Sequence, residues 1–98
     1  MSLAEATETI KAKVAQSSGF SARVKFNFKD DGVIYIDAKA QPPVVTNEDQ
    51  EADCTITMSL DNFNKMVAGE LDPTMAFMMG KLKVSGDMGI AMRLGQLI

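Results

Sequence analysis

Two periods of apolar residues alternate along this chain. Leu3, Ala6, Ile10 and Val14 recur near every 3.6 residues, and Ser2 with Glu5 forms a capping box ahead of them, so an amphipathic helix of about four turns is expected, with Gly19 as its stop. From Phe20 to Lys29 the period drops to two. Phe20, Ala22, Val24, Phe26 and Phe28 fall on one face and Ser21, Arg23, Lys25, Asn27 and Lys29 on the other, the pattern of a half-buried strand. Asp30, Asp31 and Gly32 mark a turn, and Val33–Ala40 reads as the return strand, with Ile34, Ile36 and Ala38 inward. Pro42 and Pro43 leave no amide donors for a central ladder, so only a short edge strand, Val44–Asn47, is expected before the polar loop Glu48–Glu51.

Alternation resumes at Cys54, Ile56, Met58 and Leu60, with Asp53, Thr55, Thr57 and Ser59 opposite. Asp61 is the expected cap of a helix with the stripe Phe63, Met66, Val67 and Leu71, and Asp72-Pro73 restarts a second, short helix that Gly80 ends. Lys81–Ser85 reads as a last strand with Leu82 and Val84 inward. Gly86 then turns, Asp87 caps, and Met88, Ile90, Ala91, Met92, Leu94, Leu97 and Ile98 belong to a final helix. Every strand has one polar face, so the helices are expected on the other, giving a two-layer α+β fold with a five-stranded mixed sheet. The crossover rule for a strand, a helical connection of about 20 residues and a strand predicts the Cys54 and Leu82 strands as parallel neighbours.

The segment from Asp72 to Arg93 breaks this economy. Met75, Phe77, Met78, Met79, Met88 and Met92 spread apolar surface over more of the last two helices than one packed face uses. Eight methionines against five phenylalanines and no tryptophan sharpen the point, because methionine is flexible and suits walls that accept varied apolar partners.

Composition narrows the rest. Ninety-eight residues, 46% hydrophobic and 23% charged, suit one globular domain over 1–98. A net charge of −3 argues against nucleic acid as an electrostatic partner. Arg23, Lys25, Lys29, Lys39, Lys81 and Lys83 do make one sheet face basic, but an RNA platform stacks bases on exposed aromatics, and only Tyr35 points that way. With no histidine and a single inward cysteine, Cys54, no catalytic or metal-binding constellation forms, and no cofactor is called for. The N-terminus lacks a secretory pattern, no apolar run approaches a spanning length, and the chain ends without a peroxisomal tripeptide, so the cytoplasm is the expected location.

The residues 52–97 resemble the sterol carrier protein-2 family of non-specific lipid-transfer proteins. The resemblance rests on Cys54-Thr55-Ile56-Thr57-Met58 leading to Phe63, then Asp72-Pro73, Ala76-Phe77, Gly80-Lys81-Leu82-Lys83-Val84, Gly86-Asp87-Met88, Ala91 and Arg93-Leu94. It implies a non-catalytic α+β domain with a lipid tunnel between sheet and helices, binding sterols, fatty acids, acyl-CoA or phospholipids with loose selectivity. On that expectation the tunnel walls are Phe26, Phe28, Ile34 and Val84 from strands, with Met58 beside them. Phe63, Met66, Met75, Phe77, Met78, Met88 and Met92 complete the walls from the helices. The expected partners are a long-chain lipid or sterol, and in passing anionic membranes or lipid-metabolising enzymes, with Lys81 or Arg93 near a mouth. The alternative use of the same apolar helices is self-association or docking to another protein.

Overall fold

A computed structural model describes residues 2–16, 21–40 and 42–97, with side chains through Leu94. Helix α1 (Leu3–Gln16) begins at the capping box: the Ser2 Oγ accepts from the Glu5 amide at 3.3 Å, and the Ser2 amide donates to Glu5 Oε1 at 3.3 Å. Its stripe Ala6, Ile10 and Val14 is buried, as the period requires. The expected helix stop at Gly19 and the inward Phe20 lie outside the described residues.

Strand β1 (Arg23–Asn27) turns through a 3-10 turn at Lys29–Asp31 into β2 (Val33–Asp37). The turn closes because Gly32 takes φ 111°, where a β-carbon would also meet the Leu3 side chain of α1. Next come β3 (Val44–Thr46), β4 (Cys54–Met58), α2 (Leu60–Val67), α3 (Pro73–Met78), β5 (Leu82–Gly86) and α4 (Met88–Leu97). The five strands form one mixed sheet in the order β3-β2-β1-β4-β5.

The sheet is mixed for a different reason than the sequence predicts. β4 and β5 are antiparallel, with Leu82 opposite Met58, and the parallel pair is β1 with β4. A single crossover helix returns the chain to the far end of a sheet. Two successive helices, α2 and α3, instead carry it out and back, so β5 starts beside the end of β4. The parallel pair arises because the chain leaves β3 and crosses β2 and β1 through residues 47–53. Asp49 meets Lys25 there at 2.7 Å, which puts that segment on the sheet face away from the helices. Tyr35, the cross-strand partner of Lys25, faces this way and is buried, although the alternation assigns it to the wet side.

A second correction concerns α2. Ser59, not Asp61, is its cap: the Ser59 Oγ accepts from the Asn62 amide at 3.1 Å, and Asp61 pairs with Lys65 at 3.5 Å on the surface. The two residues differ by register alone, since the strand ends at Met58 and its next residue is the one with extended backbone. Between sheet and helices lies one core, in which Phe26, Phe28 and Phe63 meet edge to face or stacked, with centroids 5.1–6.1 Å apart. Such pairs add about 0.5–1.5 kcal/mol each beyond burial.

Candidate functional site

Sequence and topology open a gap at the β4–β5 end of the sheet. α1 lies toward β3, while α3 and α4 reach β4 and β5. α3 has only six residues, too few to roof the strands beneath it. Its start is fixed by Asp72, whose Oδ1 accepts from the amides of Thr74 and Met75 at 2.8 and 3.2 Å, with Pro73 at the first helical position where no donor is lost. α4 is fixed the same way by Asp87, whose Oδ1 accepts from the Gly89 amide at 2.8 Å.

A cavity of about 400 Å³ occupies the gap. Its floor is Phe26, Ile56, Leu82 and Val84 of the sheet; Met66 closes one side. Phe77 of α3 and Met88, Ala91, Met92 and Leu94 of α4 make the rest, with Asp72, Pro73 and Thr74 at the rim. Among the described residues, the polar side chains of the lining are therefore Asp72 and Thr74, both exposed.

Of the residues expected as walls, Phe26, Met66, Phe77, Val84, Met88 and Met92 line this cavity. Phe28, Ile34, Met58 and Phe63 are packed into the solid core instead, because the α1 and α2 stripes already cover that part of the sheet. Met75 and Met78 point outward, 53% and 75% exposed. On a helix of six residues centred on the buried Ala76, they lie on the flanks. The sequence reading missed the walls Ile56, Leu82, Ala91 and Leu94 and the rim residues Asp72, Pro73 and Thr74. Ile56 and Leu82 were legible as inward positions of their strands. Ala91 and Leu94 follow from Met88 at the three-residue spacing of one helix face.

One face of the final helix is packed and the other is open. Leu94 is buried in the core, Ile90 and Ala91 pack against it, and Met88 and Met92 stay exposed beside the cavity. The side chains beyond Leu94, Leu97 among them, lie outside the described residues. Lys81 and Arg93 are exposed and absent from the lining.

No other chemistry converges here. The Cys54 thiol is in the core, and burial, with a smaller contribution from Asp87, pushes its pKa up, away from a reactive thiolate. Among the described residues no group of acidic, histidine or cysteine side chains has the arrangement of a metal site. Half of the basic residues of the sheet face are paired: Arg23 with Asp37 at 3.6 Å, Lys25 with Asp49, and Lys39 with Asp53 at 3.4 Å. No helix among the described residues is long and apolar enough to cross a membrane.

The model of the SCP-2 sterol transfer family matches residues 3–98. The chain belongs to that family. Human sterol carrier protein 2 is 48% identical over 54 residues, which are 55% of this chain and 10% of that protein. The chain thus spans about a tenth of the length of that relative. Among solved structures, sterol carrier protein 2 like 2 from Aedes aegypti superposes with a TM-score of 0.81 at 22% identity, covering 98% of this chain and 95% of that one. A palmitated form of the Aedes aegypti protein gives 0.71 at 23% identity over 99% and 94%. These likenesses establish the fold, and membership supports lipid binding or transfer as the general function.

Proposed function

We propose that residues 1–98 act as one lipid-binding domain that takes the tail of a long-chain lipid or sterol into the β4–β5 cavity and carries it without chemical change. The observation that carries this reading is the 400 Å³ cavity with a mainly apolar lining inside a family fold of lipid transfer. If a methylene takes about the ~30 Å³ of a liquid water, the cavity holds on the order of a dozen. At about 0.8 kcal/mol each, that is roughly 10 kcal/mol gross, against at least ~4 kcal/mol for association. The remainder corresponds to tens of micromolar. A 16-carbon chain offers about 13 kcal/mol if the methylenes outside the cavity are also covered, which brings the affinity to the micromolar range. Met88 and Met92, exposed beside the cavity, are the side chains placed to cover them.

Dispersion and desolvation dominate such a site, and methionine walls adapt, so selectivity among acyl chain lengths is broad, within about a hundredfold. A palmitated relative supports an acyl chain as one ligand. The setting is cytoplasmic, and the partners are anionic membranes or lipid-metabolising enzymes met during loading and release. Lys81, Lys83 and Arg93, exposed in the segment that carries α3 and α4, suit the anionic surface. Titration with a fluorescent fatty acid and with a fluorescent long-chain alcohol tests the proposal: saturable binding of at least one at micromolar concentrations is expected, and its absence for both would overturn it.

One observation favours a second reading, self-association through the helices. Met75, Phe77, Met78 and Met79 are all exposed on and just after α3. Sedimentation at rising concentration separates the two, because a dimer seated there would form without lipid.

A further inference from the structure

The cavity's polar groups sit together at its rim, and their chemistry discriminates among head groups. We infer that the site selects lipids with a neutral, hydroxyl-bearing head over lipids ending in a carboxylate, and that Asp72 with Thr74 makes the choice. This rests on the cavity being the lipid site. Asp72 is the charged residue of the lining, and it is acidic; no lysine or arginine lines the cavity. The backbone amides that would otherwise receive an anion are used: those of Thr74 and Met75 donate to Asp72 Oδ1, and Pro73 has none. An anionic head brought to this end therefore meets a like charge and no free donor. A hydroxyl head meets the opposite. Asp72 Oδ2 takes no part in the cap and accepts from an alcohol, and the Thr74 hydroxyl both donates and accepts.

A tail laid along Leu82, Val84 and Met92 places its head at this rim, where the polar side chains among the described residues of the lining stand. A like charge near hydrogen-bond distance at a protein surface costs affinity by about tenfold or more. The ligand class is thus a sterol, a monoacylglycerol or a long-chain alcohol.

The test is displacement of a fluorescent long-chain alcohol from the full chain by palmitate and by 1-palmitoylglycerol, equal in tail and different in head. A cholesterol arm separates the sterol source of the hydroxyl from the acyl source. The expected result is about tenfold tighter binding of 1-palmitoylglycerol than of palmitate. Asp72→Asn and Asp72→Ser both retain a capping oxygen. With melting temperatures near the parent's, each should bring the ratio close to one by improving palmitate. Thr74→Val should weaken 1-palmitoylglycerol and leave palmitate unchanged. Equal or tighter palmitate binding by the parent, or a ratio unmoved by both Asp72 variants, overturns the head-group selection and leaves the cavity reading standing. A probe that does not bind saturably overturns both.

Discussion

In the part of the molecule built from α1, α2 and β1 to β4, the largest apolar side chains vanish from solvent. Phe26, Phe28 and Phe63 are 0, 1 and 0% exposed, and Ile10, Ile34 and Ile36 lie with them. On α3 and α4 the reverse holds: Met78 and Met92 are 75% and 69% exposed, and Phe77 remains 45% exposed. In sequence α4 is more apolar than α1 or α2 and yet it is the more exposed, so hydrophobicity alone does not explain the difference. Side-chain type and helix length do. Phenylalanine and isoleucine have few rotamers and fill a core that has one solution; methionine, unbranched and flexible, lines the part that the chain leaves unfilled.

Phe63→Ala in the dense part and Met92→Ala at the rim should break along this line. The first removes a ring held between two others and should cost about 3–5 kcal/mol in chemical denaturation. The second should move stability by no more than about 0.5 kcal/mol while weakening lipid binding several-fold. A Met92→Ala protein as destabilised as Phe63→Ala would show that the rim is core after all.

Gly86 sits on the seam between the parts. It ends β5 at φ 100°, and a β-carbon there would run into the carbonyl of Asp53. Asp87 follows, its amide donating to that same carbonyl at 3.1 Å, so one backbone contact sets where α4 begins. Gly86→Ala should therefore cost about 1–3 kcal/mol and loosen α4 relative to the sheet. Thermal melting checks the first effect, and exchange of the 88–94 amides the second.

The two parts were unequally legible in the sequence. Strand faces followed from alternation, because a half-buried strand exposes its period residue by residue, and the caps at Ser2, Asp72 and Asp87 announced their helices. The β4–β5 direction was not legible, since hydrophobic pattern carries no information on whether two short helices make one crossing or a return. Tyr35 misled for a related reason: alternation tells which face a side chain takes, not whether a distant segment such as residues 47–53 later covers it. The cavity was foreseeable as surplus apolar surface on the last two helices. Its walls were harder to assign, because Phe63 and Met66 are three residues apart on α2 and only Met66 reaches the gap. Which of two neighbours on a stripe touches the void depends on helix placement, not on period.

Ligand should narrow the contrast between the parts. With Leu94 holding one face of α4 and Met88 and Met92 free on the other, the empty protein keeps the helix attached by a partial set of contacts. A bound tail supplies the missing ones, so the 88–94 amides should exchange about tenfold more slowly at saturating lipid, while those of β1 and β4 change little. Equal exchange with and without lipid would mean that α4 is already as ordered as the core.

The smallest effect concerns the dense part under acid. Asp53 joins β1 to β4: its amide donates to the Arg23 carbonyl at 2.9 Å, and its Oδ2 accepts from the Arg23 amide at 3.1 Å. That amide holds the Asp53 carboxyl below the ordinary carboxylate value; desolvation is the next largest effect and opposes it, and the Lys39 charge and hydrogen bond and the Arg23 charge add to the lowering. A pKa lowered by folding means that the unfolded chain takes up the proton first. The contribution is therefore fully present above the ordinary aspartate value, about pH 4, and fades as pH falls below it through the folded value. The group is exposed, so water screens the effect and it is small. Denaturation curves from pH 5 down to 2.5 should show Asp53→Asn less sensitive to acid than the parent, with the difference seen in β1 and β4 amides and not in α3. A parent and variant with parallel pH profiles would show that the Arg23 amide bond does not persist in solution.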